Sequence, residues 1–246
     1  MPNELRGALK GKSFGSDDEY YTRKEDIESF LPHWDFSDKI VYCPCDTEKS
    51  EFVKYFSKKG KCKELIYTSN DFRTNEHLFE KADVIITNPP FSLKIDFLNI
   101  LRKYKKDFLI ILAAISTQSL TIDELNNEIY IYKSLREFNR PDGSIGSVGC
   151  KWFSNIYNPD KRLMQNHKMT FSGNYKINID RKGNEYRFYS WCDIQKDITE
   201  PFLVPITYDT GYKEYFPDLK ILKKVSNNYE KETGKICFSR FLISIN

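Results

Sequence analysis

The sequence lacks any long apolar segment among its 246 residues. Its most apolar stretch, DFLIILAAIS at 107–116, is much shorter than the roughly 20 residues that a helix needs to cross a bilayer. Residues 1–21 also lack the apolar core of a secretory signal peptide. We therefore expect a cytoplasmic protein that has no membrane as a partner.

Metal-binding patterns are absent as well. The sequence contains six cysteines, but no two of them have the Cys-x-x-Cys spacing that is typical of structural zinc sites. Cys43 and Cys45 flank a proline where a strand is expected to end, which indicates free thiols in a reducing compartment. The three histidines are scattered, without a nucleophile–histidine–acid pattern. The sequence therefore predicts no metal site.

The net charge of +3 is too small to identify a nucleic-acid-binding protein by itself. Residues 1–154 carry 23 Lys and Arg against 24 Asp and Glu, whereas residues 155–246 carry 15 against 11. The basic excess therefore lies in the last third of the chain. It suits contact with phosphates, and a solvated lysine-rich surface is the alternative.

Residues 39–113 alternate between strand-like and helix-like patterns. Continuous apolar runs occupy 39–43, 64–68, 83–87 and 107–113, and helical stretches occupy 48–60, 75–81 and 92–104. Continuous runs indicate strands that are buried on both faces. Strands that alternate with helices over short links require right-handed crossovers. We therefore predict an α/β fold with a mostly parallel central sheet.

After about residue 120 the pattern changes to short, aromatic-rich strand candidates. These candidates are NEIYIYKSL, CKWFSNIY and YKINIDRKGNEYRFYSW. Within the last of them, RKGNEY has the composition of a hairpin turn. The sequence thus predicts a smaller β-rich region after the α/β core.

The strand expected at 83–87 ends on Asn88, Pro89, Pro90 and Phe91. Each proline restricts the residue before it to extended geometry, and neither proline has an amide hydrogen to donate. The side-chain oxygen of Asn88 and the carbonyl oxygen of Pro89 are therefore two acceptors on a stiff backbone. Two fixed acceptors suit a ligand that carries two N–H hydrogens, and Phe91 adds a flat face for stacking.

This motif favours one type of chemistry. An aromatic amine is a poor nucleophile because its lone pair is conjugated into the ring. Two acceptors would favour a pyramidal nitrogen and stabilise the positive charge that develops when the amine attacks, while alignment supplies much of the rest. We therefore predict methyl transfer from S-adenosylmethionine to an amino group. The alternative is structural: the prolines end a strand, and Ser92 caps the next helix.

Five stretches of the chain resemble, in order, the EcoRI-type adenine-specific DNA methyltransferases. They are DEYYT (18–22), FSDKIVYCPCD…SEF (36–52), NDFR…KADVIITNPPFSL (70–93), CKWFSN (150–155) and VPITY (204–208). The resemblance spans most of the chain, is strongest over 18–110 and is weak after about 220. It implies a Rossmann-like S-adenosylmethionine-dependent methyltransferase fold with a small C-terminal β-rich recognition region.

The resemblance also implies roles for the matched residues. The catalytic stretch is Asn88, Pro89, Pro90 and Phe91. The residues that match cofactor-binding stretches are Tyr20, Tyr21, Thr22, Pro44, Cys45, Asp46, Asp71 and Phe72. The first three would close over the methionine end of the cofactor, and Asp71 would accept from its adenine amino group. Trp152 and Phe153 match a hairpin beside the target-base pocket, with core packing as the alternative.

The first cofactor loop, CPCDTEKSEF, departs from the glycine-rich pattern of most methyltransferases. S-adenosylmethionine has no phosphates and needs no phosphate cradle. A loop without glycine is nevertheless expected to approach the cofactor less closely. In addition, no acidic residue at the end of the second predicted strand is available for the ribose hydroxyls.

A base amine inside a duplex is out of reach, so the target adenine would be flipped out and stacked on Phe91. The link from Asp71 to Asn88 is too short to hold a recognition domain. The resemblance therefore implies three regions: a mobile N-terminal arm at 1–17, a catalytic core at 18–155 and a target-recognition region at 156–246. Candidates for phosphate contact are Lys161, Arg162, Lys168, Arg181, Lys182 and Arg187.

The expected partner is double-stranded DNA, with a cognate restriction endonuclease as a further partner and a monomer or weak dimer as the assembly. Two alternative functions are compatible with the same motif. One is methylation of RNA adenine or of a protein glutamine by the same four catalytic residues, because the motif recognises only a planar amine. The other is a DNA-binding or regulatory protein that keeps the methyltransferase fold without its activity.

Overall fold

A computed structural model describes residues 20–195, 197–237 and 239–245. The predicted mobile arm at 1–17 lies outside the described residues, as do residues 18 and 19 of the DEYYT stretch. The α-helices of the described part are α1 Lys24–Phe30, α2 Glu51–Phe56, α3 Glu76–Lys81 and α4 Lys94–Tyr104.

The β-strands fall into two groups along the chain. The first comprises β1 Tyr21–Thr22, β2 Ile40–Pro44, β3 Glu64–Thr68, β4 Val84–Thr87, β5 Asp107–Ala113, β6 Tyr130–Asn139 and β7 Ile145–Ser154. The second comprises β8 Tyr175–Ile179, β9 Glu185–Tyr189, β10 Phe202–Pro205, β11 Lys220–Val225, β12 Asn228–Glu230, β13 Ile236–Cys237 and β14 Arg240–Ser244. Strands β3 and β5 have the bounds that the apolar runs predict, and β2 and β4 agree with them to within one residue.

The helix predicted at 48–60 is shorter in the structure. Helix α2 begins after Ser50, whose hydroxyl accepts from the backbone N–H of Phe52 at 3.2 Å. Such a side-chain cap satisfies one of the free N–H groups of the first turn. The helix ends at Phe56, and the chain then turns through Gly60, which has a φ of +79°. The segment between Phe56 and Gly60 therefore forms turns rather than helix.

The first group of strands forms a mixed sheet in the order β1-β6-β7-β5-β4-β2-β3. Strand β2 runs parallel to both β3 and β4, and Tyr42 lies opposite Ile66 on one side and Ile85 on the other. Strand β1 is antiparallel to β6, and β5 is antiparallel to β7. The predicted mostly parallel sheet is therefore not confirmed. Residues 140–144 link β6 to β7, which is too short for a crossover and long enough for a hairpin.

The prediction that both faces of the strands are buried holds for some strands only. Every residue of β4 is buried, as are all but the first and last residues of β5. Strand β3 lies at the edge of the sheet, and none of its residues is fully buried; Tyr67 is 42% exposed. An edge strand has only one strand neighbour, so its continuous apolar pattern overstates its burial.

The second group forms a separate seven-stranded sheet in the order β11-β14-β10-β9-β8-β12-β13. Strands β8 and β9 are antiparallel, with Tyr175 opposite Tyr189. The turn between them contains Gly183 at a φ of +83°, and Asp180 donates its N–H to the carbonyl of Asn184. The hairpin predicted at RKGNEY is therefore confirmed, and the C-terminal part is rich in β-structure.

The chain divides into two compact units. The first runs from Tyr20 to Lys106 and includes Arg136–Val148; the second consists of Asp107–Leu135 and the chain from Gly149 onward. In the first unit, Phe79 and Phe97 pack edge to face at 5.8 Å between ring centroids. The functional division proposed at residue 155 stays a prediction.

Within the described ranges, no helix is long and apolar enough to cross a membrane. The same residues contain no group of three or more His, Cys, Asp or Glu side chains placed to hold a metal ion. The six cysteines are free, and Cys43 and Cys150 among them are buried. Burial raises the pKa of the Cys150 thiol to about 12. The Cys150 thiol is therefore a packing group at neutral pH.

Candidate active site

The Asn-Pro-Pro-Phe motif follows β4 directly. Thr87 ends the strand fully buried, and Phe91 opens a 3-10 turn that leads into α4. The backbone N–H of Leu93 donates to the carbonyl of Pro90 at 3.0 Å and closes this turn. Leu93, not Ser92, is therefore the residue that precedes α4. The Ser92 cap assumed in the structural alternative is wrong because the 3-10 turn delays the start of the helix, whereas its strand end before the prolines agrees with β4.

The side chain of Asn88 is held in one orientation. Its amide Nδ2 donates to the backbone carbonyl oxygen of Tyr20 at 2.7 Å. The opposite orientation would set two oxygens against each other, so the carbonyl of Tyr20 fixes which end of the amide faces away from it. The remaining atom, Oδ1, is buried and accepts no hydrogen bond. A buried acceptor without a donor costs about 1–3 kcal/mol, and an amine hydrogen would relieve this cost.

Phe91 lies against the ring of Tyr20. The two ring centroids are 6.0 Å apart, and the ring planes are 25° from parallel. Asn88 and Phe91 therefore meet the same N-terminal residue, one through its backbone and the other through its side chain. The predicted amine acceptor and the predicted stacking ring are brought together.

The loop Pro44–Cys45–Asp46 follows β2 and contacts the end of β4. Thr87 Oγ1 lies 2.5 Å from the carbonyl oxygen of Pro44 and 2.7 Å from Oδ2 of Asp46. The backbone N–H of Asp46 donates to the carbonyl of Thr68 at the end of β3, at 3.0 Å. Three neighbouring parallel strands thus bring their carboxyl ends together, which is where open α/β sheets bind ligands.

Asp46 is buried, and burial raises the pKa of its carboxyl group to about 7. The hydrogen-bond geometry around Thr87 also favours a proton on Asp46. The hydroxyl of Thr87 has one hydrogen but two acceptors within 2.7 Å, the carbonyl of Pro44 and the carboxyl of Asp46. A proton on Asp46 removes the conflict, because Asp46 then donates to Thr87 while Thr87 donates to Pro44. Near neutral pH, Asp46 therefore exchanges between its neutral and charged forms.

Cys45 has a left-handed backbone conformation, with a φ of +70°, which glycine adopts more readily than other residues. The conformation lets the chain turn sharply between Pro44 and Asp46. Residues other than glycine adopt it at a cost of about 1–2 kcal/mol. Burial and the neighbouring charges of Asp46 and Asp71 raise the pKa of the Cys45 thiol, so the side chain stays uncharged.

Replacing Cys45 by glycine should give a more stable protein than replacing it by alanine, by roughly 1 kcal/mol. Both changes remove the thiol, so their difference reports only the backbone conformation. Urea unfolding of the two variants measures it. An alanine variant that equals or exceeds the glycine variant in stability would contradict the strained conformation.

Asp71 begins a 3-10 turn after β3 and is bound to Arg73. Its Oδ1 accepts from the backbone N–H of Arg73 at 3.0 Å and from Nε at 2.9 Å. This hydrogen bonding from Arg73 holds the pKa of Asp71 below its usual range. A second carboxylate, Asp96, accepts from the same guanidinium at 3.3 Å. The carboxylate predicted to accept from the cofactor's adenine is therefore charged and already shares Arg73.

The other predicted cofactor-binding residues differ in exposure. Tyr21 and Thr22 form β1 and lie opposite Asn139 and Phe138 of β6. Tyr21 is 48% exposed, whereas the hydroxyl of Thr22 is buried without a hydrogen-bond partner. Phe72 is fully buried and packs edge-on against Phe97 of α4, 5.0 Å between ring centroids. Their contacts with a cofactor stay predictions.

Trp152 and Phe153 lie in β7, opposite Ile111 and Ile110 of β5. Both side chains are almost completely buried, which agrees with core packing. Among the predicted phosphate contacts, Arg162 pairs with Asp160 and Lys161 lies 3.8 Å from Glu214.

Sequence reasoning missed four residues that complete the arrangement. Thr87 joins the motif to the cofactor loop, and Phe138, Arg140 and Gly146 surround the ring of Tyr20. Thr87 carries a usable signal, since it is a hydroxyl residue at the end of an otherwise aliphatic strand. The other three lie more than 115 residues from Tyr20 along the chain, and no local pattern connects them.

A family model of adenine-specific methyltransferases, described as EcoRI, matches residues 8–69 and 62–130 of the chain. The chain belongs to this EcoRI family of adenine-specific methyltransferases. A curated relative, the type II methyltransferase M.EcoRI of Escherichia coli, is 29% identical over 97% of this chain and 95% of its own length. Another, M.MgeORF184P of Mycoplasma genitalium, is 22% identical over 71% of this chain and 70% of its own length.

Two solved structures resemble parts of this EcoRI-family chain. The 23S rRNA methyltransferase ErmE covers 60% of the chain with a TM-score of 0.36, 8% identity and 72% of its own length. A protein-(glutamine-N5) methyltransferase from Alicyclobacillus acidocaldarius covers 53% with a TM-score of 0.28, 13% identity and 88% of its own length. Membership of the EcoRI family rests on the sequence match.

Proposed function

We propose that the protein transfers a methyl group from S-adenosylmethionine to the exocyclic 6-amino group of an adenine that is flipped out of DNA at a specific sequence. The observation that carries the proposal is Oδ1 of Asn88, a buried acceptor without a donor. It lies beside Phe91 at the end of β4. An adenine amino group would donate one hydrogen to this oxygen while its ring stacks on Phe91.

The residues around the loop Pro44–Cys45–Asp46 fit the proposed cofactor. S-adenosylmethionine carries a cationic sulfonium and an ammonium group, and its role is to supply an electrophilic methyl group. Asp46 can ionise beside such charges, since its pKa is about 7 in their absence. The φ of +70° at Cys45 turns the backbone sharply without glycine, which supports a close approach of the loop to the cofactor. Tyr21, Thr22 and Asp71 are proposed as further contacts.

The chain's own residues would then position the amine. Asn88 Oδ1 accepts from the amino group, and the Tyr20 carbonyl prevents the amide from rotating. Pro89 and Pro90 keep the acceptors rigid, so little reorganisation accompanies the reaction. The charge that develops on the amine is stabilised by Asn88 and by the carbonyl of Pro89.

DNA is proposed as the substrate because both curated relatives are type II methyltransferases. A base in a duplex must be flipped out to reach Asn88. Residues 156–246 are proposed to read the sequence, and the exposed Lys168, Arg181 and Lys182 to contact phosphates. A cognate restriction endonuclease is proposed as the partner in the cell.

Labelled S-adenosylmethionine and three acceptors test the proposal: mixed-sequence genomic DNA, total RNA and a glutamine-containing protein. Label should enter DNA, and digestion should release N6-methyladenosine as the deoxynucleoside. Sequencing of modified bases would then give the recognised site. Label in RNA or protein only would overturn the choice of DNA.

Calorimetry with S-adenosylhomocysteine distinguishes an active methyltransferase from a protein that keeps the fold without the activity. Binding of this product, together with labelled DNA, supports an enzyme. Binding without transfer to any acceptor would instead indicate a protein that keeps the fold and has lost the reaction. The absence of binding at high micromolar concentration would contradict the proposed cofactor itself.

A further inference from the structure

The ring of Tyr20 faces the ring of Phe91 in a nearly parallel arrangement. The ring centroids are 6.0 Å apart and the planes differ by 25°. Tyr20 is only partly buried and Phe91 is likewise accessible in part. We call the space between these two partly exposed rings the slot.

Neighbouring side chains fix the position of the Tyr20 ring. Phe138 meets it edge to face at 6.0 Å, and the guanidinium carbon of Arg140 lies 5.5 Å from its ring centroid. Arg140 also donates to the Tyr20 hydroxyl at 3.4 Å. Gly146 makes room for both side chains, since a Cβ atom there would lie 2.6 Å from Tyr20 Cε1 and from Arg140 Nε.

The same residue orients the buried acceptor of the motif. The backbone carbonyl of Tyr20 accepts from Asn88 Nδ2 at 2.7 Å, and this bond directs Asn88 Oδ1 away from Tyr20. The oxygen is buried and has no donor. Tyr20 therefore contacts both residues of the motif that are proposed to bind the amine, Asn88 through its backbone carbonyl and Phe91 through its ring.

We propose that Tyr20 forms the second wall of the target-base pocket, so that the flipped adenine is held between the rings of Tyr20 and Phe91. This inference rests on the proposed function and reassigns Tyr20, whose family match suggested a cofactor contact. Stacked bases are about 3.4 Å apart, so two walls around one base stand about 6.8 Å apart. The ring centroids are 6.0 Å apart in the structure, so the two rings separate further to admit a base between them.

The test compares Tyr20→Phe with Tyr20→Leu on the DNA that the wild-type protein methylates. Phenylalanine keeps the flat ring, and leucine keeps only apolar bulk; both keep the backbone carbonyl that orients Asn88. We expect Tyr20→Phe to retain kcat/KM within about threefold. Tyr20→Leu should lose roughly 5- to 150-fold, the effect of one base–aromatic stack. Both variants should bind S-adenosylhomocysteine within about twofold of wild type by calorimetry.

Gly146→Ala provides a second, independent variant. The added Cβ would press on Tyr20 and Arg140 and displace the Tyr20 ring from its present position. We expect it to lower kcat/KM for DNA and to have little further effect when Tyr20 is already leucine, because the wall is then absent. Tyr67→Leu, at a tyrosine of the edge strand β3 that is 42% exposed, is the matched control and should leave activity unchanged.

The outcomes separate the two proposals. Wild-type protein that labels no DNA would overturn both the proposed function and the slot. Wild-type protein that labels DNA while Tyr20→Leu does so as well as Tyr20→Phe would overturn the slot alone. A parallel loss of DNA turnover and S-adenosylhomocysteine binding in Tyr20→Leu would return Tyr20 to the cofactor site and also overturn the slot.

Discussion

Asn88→Ala is expected to lower the methyl-transfer rate by about 10²–10³-fold, because it removes the acceptor that stabilises charge developing on the amine. Binding of S-adenosylhomocysteine should stay within a few-fold of wild type, since the hydrogen bond seen at Asn88 goes to Tyr20 and not to the cofactor loop. Stability should change by no more than about 1 kcal/mol, the value of one hydrogen bond. Single-turnover kinetics with saturating cofactor and DNA measure the chemical step.

Asn88→Asp separates two roles of the Asn88 side chain: its oxygen as a hydrogen-bond acceptor, and its NH2 group as the donor that orients it through the Tyr20 carbonyl. The carboxylate keeps an acceptor but cannot donate to the Tyr20 carbonyl, so two oxygens would face each other there. We expect an activity between those of wild type and Asn88→Ala. Asn99→Ala, at an exposed asparagine of α4, is the control for the amide-to-methyl change itself. An Asn88→Ala variant with wild-type turnover would remove Asn88 from the reaction.

The catalytic motif could be predicted from the sequence because its physics is local. Two prolines restrict the backbone at Asn88 whatever surrounds them. The structure agrees that the motif follows a buried strand, and it adds the bond from Asn88 to Tyr20, 68 residues earlier. That bond depends on how the chain folds back, so no spacing in the sequence could reveal it.

The predictions that differ from the structure fail for the same reason, since they depend on contacts between distant parts of the chain. Continuous apolar runs predict strands well but do not give their direction or their place in the sheet. Strand β3 reads as buried and lies at the edge, whereas the hairpin at 140–144 makes the sheet mixed. The loop at Cys45 lacks glycine and still takes a left-handed conformation, because neighbouring contacts at Asp46 and Thr87 hold it.

Asp46→Asn should make the stability of the protein less dependent on pH. The folded-state pKa of about 7 lies above the ordinary value of 3.8, so the folded protein binds more protons than the unfolded chain between these values. The stability that the neutral carboxyl provides is full below about pH 4 and is lost as pH rises through about 7. A difference of about 3 pKa units corresponds to roughly 4 kcal/mol.

The asparagine amide is always neutral and can donate to Thr87 as the protonated carboxyl does. We therefore expect Asp46→Asn to match wild type near pH 5 and to exceed it by roughly 2–3 kcal/mol at pH 8, measured by urea unfolding across this range. If Asp46→Asn were less stable than wild type at pH 8, Asp46 would be charged and stabilised there, and the hydroxyl chain through Thr87 would run in the opposite direction.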